Sequence, residues 1–193
     1  STTQDAAGPI TRTVEDAARM LDAIAGYDQD DEVTAFSVGK IPPTYASGLT
    51  KDGLAGARLG LLSHVLARDP FHQAVNRVVK PAITKMTAMG ATVVRVSIPG
   101  LEGLTRDLSL INYEFGPAFN AYLAQLGPRA PVKNLDEFIA RGEFHPALRS
   151  GLLAAQKMKD PLVSAEYKQI LLRRNDLRQS VMTVIAANKL DAL

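Results

Sequence analysis

Two apolar stretches, ARLGLL at residues 57–62 and GATVVRVSIPG at residues 90–100, stand out in this 193-residue chain. Both are short, rich in leucine or β-branched residues and bounded by glycine or proline, which is typical of buried β-strands. The segment between them repeats apolar residues at helical spacing and predicts a helix that Gly90 closes and Pro81 kinks. The predicted stripe comprises Phe71, Val75, Val78, Val79, Ala82, Ile83 and Met86.

This order of strand, helix and strand predicts a βαβ unit and places the chain in the α/β class. The two strands should be parallel, and the crossover between them should be right-handed. The second strand, over residues 93–98, is β-branched and bounded by glycine, so we expect it to be buried on both faces.

A further helix is predicted upstream of the βαβ unit. Thr13 is a good N-cap with Asp16 three residues on, and Gly26 should end the helix as a C-terminal glycine. Its apolar face would comprise Val14, Ala17, Ala18, Leu21, Ile24 and Ala25. Residues 37–57 are predicted to form a loop, because glycine and proline recur in them.

The chain downstream of Gly100 is predicted to be mainly helical. Helices are expected near residues 103–111, 112–126, 134–141, 146–158 and 164–188. We therefore divide the chain into a sheet-forming part, residues 1–100, and a mainly helical part, residues 101–193. A new apolar element begins at Leu190 and stops at Leu193, so we expect Leu193 to be an artificial boundary. No strand or initiator Met precedes the polar turn and capped helix that follow Ser1, so we expect a partial domain truncated at both ends.

Composition excludes several classes of function. The chain has 22 basic and 20 acidic residues, so its net charge of +2 does not predict nucleic-acid binding. It has no cysteine, which excludes a disulfide framework, a zinc–cysteine site and a thiol nucleophile. No apolar run approaches the roughly 18 residues of a membrane span. The compartment stays unknown, with the cytoplasm slightly favoured.

The residues alone do not name a catalytic group. His64, His72 and His145 lack metal-binding spacing, and the S-x-x-K match at Ser37 and Lys40 falls where Gly39 and two prolines disfavour a helix. The remaining candidates have simpler interpretations as surface groups. They are the acidic loop at residues 28–32, the carboxylate pair Asp136–Glu137, and the off-stripe arginines Arg173, Arg174 and Arg178. Asp5 with Glu114 is a conceivable carboxylate pair for acid–base chemistry.

One long stretch resembles a known family. TQDAAGPITRTVEDAARMLDAIAGYDQDD, at residues 3–31, resembles the segment that follows the signature region in the amidase signature family. The family pattern is a polar S/T-x-D-x-x-G-P-[ILM]-x-R-[ST]-V-x-D-A, a helix, and then A-G-x-D-x-x-D. Here it is carried by Gln4, Asp5, Gly8, Pro9, Arg12, Thr13, Val14, Asp16, Ala17, Ala25, Gly26, Asp28 and Asp31. Residues 52–62, 90–101, 111–140 and 188–193 resemble later family segments, so the resemblance covers essentially the whole chain.

The resemblance implies an α/β/α mixed-sheet amidase-signature fold, of which this chain holds a βαβ unit and a helix-rich segment. It implies a hydrolase that splits a carboxylic amide into an acid and ammonia or an amine, with no cofactor and no metal. The family's Ser–cis-Ser–Lys triad lies upstream of this segment, so no catalytic residue is expected here and the chain alone should be inactive. The implied partner is a small-molecule amide, with no nucleic acid and no membrane; a homo-oligomer is left open.

The resemblance also suggests roles for particular residues. Asn112, Tyr113, Glu114 and Phe115 are our candidates for a substrate-facing wall, and Asp5 and Arg12 for support of the signature loops. In the competing interpretation, Tyr113 and Phe115 are core aromatics and Glu114 is a surface charge. Two other functions stay open: a non-catalytic α/β binding or scaffold relative, and the amidase subunit of a tRNA-dependent amidotransferase.

Overall fold

The computed structural model describes residues 2–62 and 72–193, so the predictions for His64 and Phe71 lie outside the described residues. The helices and strands in chain order are α1 (Val14–Ile24), β1 (Arg58–Leu62), α2 (Gln73–Ala88), β2 (Thr92–Val96), α3 (Leu101–Thr105), α4 (Ile111–Leu126), α5 (Leu135–Arg141), α6 (Arg149–Lys157) and α7 (Ala165–Ala187). Short 3₁₀ segments lie at Glu32–Ser37, Ala46–Gly48, Gly127–Arg129, Pro146–Leu148 and Pro161–Val163. In the ranges that the structure describes, none of these helices combines the length and the apolar character needed to span a membrane.

β1 and β2 form a parallel pair, with Arg58 opposite Thr92 and Leu62 opposite Val96. α2 lies between them in the chain, so the predicted βαβ order is confirmed. The prediction that the second strand is buried on both faces is wrong, because Thr92 and Arg95 are exposed. Two strands make too narrow a sheet for helices to cover it completely on both sides, which leaves polar positions of β2 in solvent.

The end of the chain pairs with the other edge of β1. The amide of Gly60 donates to the carbonyl oxygen of Ala192, and the amide of Asp191 donates to that of Arg58, each at 2.8 Å. The Asp191 carboxylate also accepts from the Arg58 amide at 2.8 Å. The apolar element predicted from Leu190 is therefore confirmed, and β1 lies between β2 and this segment.

Two helix boundaries differ from the prediction. The helix expected near residues 103–111 is α3, which ends at Thr105; Asp107 then takes the left-handed conformation with φ 51°, which a helix cannot continue. α1 ends at Ile24 with extended Ala25 as its C-cap, so Gly26 lies at the predicted position just beyond the helix but does not take the left-handed conformation of a C-terminal glycine. At the other end of α1 the predicted cap is confirmed, since the Thr13 hydroxyl accepts from the Asp16 amide at 3.0 Å.

α7 contributes to two of the buried clusters that the described residues form. Near its C-terminal end, Val184 packs with buried Val96 and Ile98 beside the sheet. Near its N-terminal end, Tyr167 and Ile170 pack on Leu110, the residue before α4. A third buried cluster joins α5 and α6 and is flanked by aromatic residues; it comprises Leu135, Leu152 and Ala155, with Phe115, Phe119, Phe138 and Phe144 around them.

Gly60 of β1 lies directly against the side chains of the segment at the chain end. A Cβ atom at this position would lie 2.5 Å from Leu190 Cδ1 and 2.6 Å from Leu193 Cδ2. We expect Gly60→Ala to lower the free energy of unfolding by about 1–3 kcal/mol, because the added methyl group overpacks the core. Gly151→Ala is the matched control, since nothing lies within 4 Å of a Cβ there and alanine suits the interior of α6. Urea denaturation of both variants checks the prediction, and equal effects at the two positions would contradict it.

Candidate functional site

A buried carboxylate joins the first residues of the chain to the helices. Glu114, in the first turn of α4, is 1% exposed, and its Oε1 accepts from the Thr3 hydroxyl at 2.5 Å and from the Tyr167 hydroxyl at 3.0 Å. Its Oε2 accepts from the backbone amide of Thr3 at 3.0 Å. Both oxygens are therefore occupied by donors from a turn at residues 2–4 and from α7. We call Thr3, Glu114 and Tyr167 the Glu114 network.

Elementary helix geometry explains why a glutamate is buried here. Leu110 and Glu114 are four residues apart and so lie on one face of α4. Leu110 is 0% exposed and packs on Tyr167 and Ile170, which are three residues apart on α7. The face of α4 that carries Glu114 is thus pressed against α7, where an ionised carboxylate is tolerated only if it is hydrogen-bonded.

The hydrogen bonds decide the ionisation of both network side chains. Burial alone would raise the pKa of Glu114, but hydrogen bonds from the Thr3 side chain and backbone, from Tyr167 and from the Thr2 backbone outweigh it and lower the pKa. Burial, the hydrogen bond to Glu114 and the charge of Glu114 together raise the pKa of Tyr167. Glu114 is therefore ionised at neutral pH with its acceptors filled, which suits it to hold a neighbouring segment rather than to exchange protons.

A second connection joins the turn at residues 2–4 to the start of α4, and here the turn supplies the acceptor. The side-chain Oε1 of Gln4 accepts from the Leu110 amide at 2.9 Å, just before α4 begins. Arg174 of α7 donates to the same oxygen at 3.3 Å and to the Leu108 carbonyl at 3.4 Å. The turn at residues 2–4 is thus bound to α4 through its own side chain as well as through Glu114.

The four residues predicted for a substrate-facing wall do not share one environment. Asn112 is exposed, whereas Tyr113 is half-buried with its ring centroid 5.9 Å from that of Tyr167. Phe115 stacks on Phe119 at 5.5 Å in the aromatic cluster between α4 and α5. The two aromatics pack against neighbouring rings, whereas Glu114 is buried, so its interpretation as a surface charge is wrong. The substrate-facing wall stays a prediction.

Two grooves meet beside Thr3 and Val33. One, of about 490 Å³, has the apolar side chains of Phe36, Leu171 and Leu177 and the arginines Arg174 and Arg178 in its lining. The other, of about 630 Å³, is acidic and is lined by Asp5, Asp30, Asp31 and Glu32. Among residues 2–62 and 72–193, no group of three or more His, Asp or Glu side chains is arranged to hold a metal ion. Asp5 and Arg12 are both exposed, and their support of the signature loops stays a prediction.

The remaining sequence candidates have structural partners. Ser37 donates to the Thr34 carbonyl at 2.6 Å and ends a 3₁₀ segment before Lys40, so the two do not lie on one helical turn. His145 Nδ1 accepts from the Ala147 amide at 3.2 Å and so caps the 3₁₀ segment that begins at Pro146, and His72 precedes α2.

The other paired carboxylates and the basic residues of α7 are also explained. Asp136 accepts from Gln156 at 2.8 Å, whereas Glu137 accepts from the Lys133 amide at 2.8 Å, so the pair faces different partners. The interpretation of Arg173 and Arg174 as a solvated face is wrong. Arg173 donates to the carbonyls of Gly103, in α3, and Arg106, its C-cap, and Arg174 binds Gln4 and Leu108 as described. Arg178 is exposed.

Comparison with known proteins agrees with this architecture. The family model described as Amidase matches residues 1–193. The peptide amidase from Stenotrophomonas maltophilia superimposes with a TM-score of 0.76 at 29% identity, over 96% of this chain and 39% of that one. A probable amidase of Arabidopsis thaliana is 37% identical over 142 residues, which cover 72% of this chain and 27% of the plant protein.

A second group of relatives matches a shorter part of the chain. A glutamyl-tRNA(Gln) amidotransferase subunit of Pediococcus pentosaceus is 38% identical over 95 residues, covering 49% of this chain and 18% of that protein. The chain thus spans only a minor part of the length of the relatives it matches. Because the family model extends over every residue, the chain belongs to the amidase signature family.

Proposed function

We propose that this chain forms part of an amidase that hydrolyses the C–N bond of a small carboxylic amide to an acid and ammonia or an amine. The observation that carries the proposal is the family match over residues 1–193, with the peptide amidase fold followed over nearly the whole chain. The chain holds none of the family's triad residues, so its own contribution is to scaffold and wall the reaction site.

The chemistry would be that of an activated serine. The nucleophilic serine would attack the amide carbonyl carbon and pass its proton to the bridging serine. The bridging serine would in turn pass its own proton to an upstream lysine. Backbone amides of the upstream glycine-serine stretch would hold the oxyanion, and the leaving nitrogen would recover the proton. Water would then release the acid from the acyl-enzyme.

The residues suggested for substrate contact and loop support keep separate roles in this proposal. Asn112 has an exposed side chain at the start of α4 and is the member of the predicted wall best placed to meet a substrate. Tyr113 and Phe115 would shape the wall from within, through their packing. Asp5 and Arg12 would support the upstream loops from the segment that carries the family motif.

The second candidate is the amide-hydrolysing subunit of a tRNA-dependent amidotransferase. Relatives of that name support it, but they match over about half of the chain, whereas the plant amidase relative matches over 72% of it. We therefore favour the free-standing amidase. Co-purification of the natural protein with a second, different chain would reverse this preference, and an upstream region without the triad would favour a non-catalytic scaffold.

The test is to read the frame upstream of Ser1 and to express a chain extended to the length of the relatives. We expect a lysine followed by a glycine-serine stretch with two serines in register, and release of ammonia from carboxylic amides, including amidated peptides. Alanine at the nucleophilic serine should abolish this release, and the 193-residue chain alone should release none. Amide turnover by the 193-residue chain that survives Lys40→Ala, or an extended chain that has the triad and is inactive on every amide, would contradict the proposal.

A further inference from the structure

The Glu114 network places an ionised side chain where stability alone does not require one. A buried charge brings a desolvation cost that hydrogen bonds must offset, and well-packed apolar residues can be as stable as a buried ionic group. The carboxylate adds geometric specificity, because its oxygens fix the positions of the donors around them. The Thr3 amide and hydroxyl are two of these donors, so the segment whose position is fixed is the turn at residues 2–4.

The turn at residues 2–4 and the start of α4 each supply a hydrogen-bond acceptor to the other, although they lie more than 100 residues apart in the chain. Glu114 of α4 holds Thr3, while Gln4 holds the Leu110 amide immediately before α4. Two side chains of α7 donate to the same acceptors. The Tyr167 hydroxyl donates to Glu114 Oε1 at 3.0 Å, and Arg174 donates to Gln4 Oε1 at 3.3 Å. The turn therefore cannot shift along α4 without breaking the hydrogen bonds between Thr3 and Glu114 and between Gln4 and Leu110.

We infer that Glu114 is a positioning residue, which fixes the turn at residues 2–4 on α4 and α7 and thereby holds the chain that enters from the upstream region. This inference rests on the proposed function where it concerns catalysis, because that function places the triad in the upstream region. Asp5, Gly8 and Pro9 of the family motif follow directly after this turn, so the network anchors the start of that segment. The role is distinct from substrate contact, since the carboxylate is buried with both oxygens occupied.

The first experiment uses the 193-residue chain and needs no activity. Amide hydrogen exchange is measured by NMR at Thr3 and Leu110 in the wild type, in Glu114→Gln and in the control Glu166→Gln, whose side chain is exposed on α7. We expect exchange at Thr3 to quicken about tenfold or more in Glu114→Gln, because a charge-assisted hydrogen bond is lost. Thr3→Val, a change at an exposed position that leaves α4 intact, should quicken exchange at Leu110 as the turn loosens. Wild-type protection in both variants would overturn the inference.

The second experiment uses the extended, active protein. Glu114→Gln should lower kcat about tenfold to a hundredfold while KM stays within about twofold, because a misplaced segment weakens the transition state more than binding. Thr3→Val should show the same kcat loss to a smaller degree, and Glu166→Gln should leave both constants unchanged. A rise in KM at constant kcat would make Glu114 a substrate-binding residue and overturn the inference, as would unchanged kcat. If the extended wild type is inactive, the proposed function fails, and the exchange experiment still decides whether Glu114 fixes the turn.

Discussion

Replacement of Glu114 by alanine is expected to lower the free energy of unfolding at pH 7 by about 3 kcal/mol, since removing one partner of a buried charged network leaves the others unsatisfied. The Tyr167 hydroxyl and the Thr3 amide and hydroxyl lose their acceptor together, and a cavity forms beside Leu110. Chemical denaturation of wild type and variant measures the difference. Glu166→Ala is the control, because an exposed glutamate in the first turn of α7 contributes at most about 1 kcal/mol.

The stability difference between wild type and Glu114→Ala should depend on pH in one direction only. The pKa of Glu114 is lower in the folded chain than its unfolded value of about 4.3, so the unfolded chain takes up the proton first as pH falls. The stabilisation is therefore complete above about pH 5 and is lost as pH falls through the folded pKa. Asp22, whose pKa is lowered by hydrogen bonds from Thr44 and Tyr45, titrates alike in both proteins and cancels in the difference.

A double-mutant cycle separates the network from simple packing. Tyr167→Phe removes the hydroxyl donor and keeps the ring that packs on Tyr113. If the hydrogen bond joins the two side chains, the double variant should be about 0.5–3 kcal/mol more stable than the sum of the single effects predicts. Additive effects, or a loss in Glu114→Ala below about 1 kcal/mol that is constant down to pH 3, would contradict the network as a source of stability.

Local patterns in the sequence were enough for the elements that form the scaffold. Thr13 with Asp16 predicts the start of α1, and the β-branched run after Gly90 predicts β2, because caps, turns and apolar spacing act between residues close in the chain. The prediction of a helix over 103–111 failed because a left-handed aspartate at position 107 carries no local signal as strong as glycine.

The candidate site depends on contacts that no local pattern encodes. Glu114 meets Thr3 across 111 positions and Tyr167 across 53, so its burial follows from the packing of α4 on α7 rather than from its neighbours in sequence. A glutamate one turn from Leu110, on the face that α4 buries, was the available signal. Arg173 likewise looks like surface charge until the carbonyls of Gly103 and Arg106, at the C-terminal end of α3, are placed beside it.

The 193-residue chain is expected to associate with itself, because several large apolar side chains that sequence patterns assign to buried faces lie in solvent. Val14 of α1 is 73% exposed and Val78 of α2 is 72% exposed, although each belongs to a predicted core stripe. Ile10, between the family motif's proline and arginine, is 97% exposed. Burial of such surfaces between copies gains about 25 cal/mol per Å² of apolar area removed from water, which favours dimers or larger assemblies.

Sedimentation velocity across a concentration series tests this expectation. The wild-type chain should show a weight-average mass that rises with concentration, and the triple variant Ile10→Ser, Val14→Glu and Val78→Lys should sediment as a monomer. Gln73→Glu combined with Gln125→Lys is the matched control, since it also places opposite charges at exposed helical positions and leaves the apolar surface untouched. If the wild type is a monomer at every concentration and unfolds cooperatively, the exposed side chains do not drive association. If the control variant also becomes monomeric, added surface charge rather than lost apolar area is responsible. One combination of results assigns the association to these three side chains. In it, the wild type and the control variant associate equally, and the triple variant does not associate.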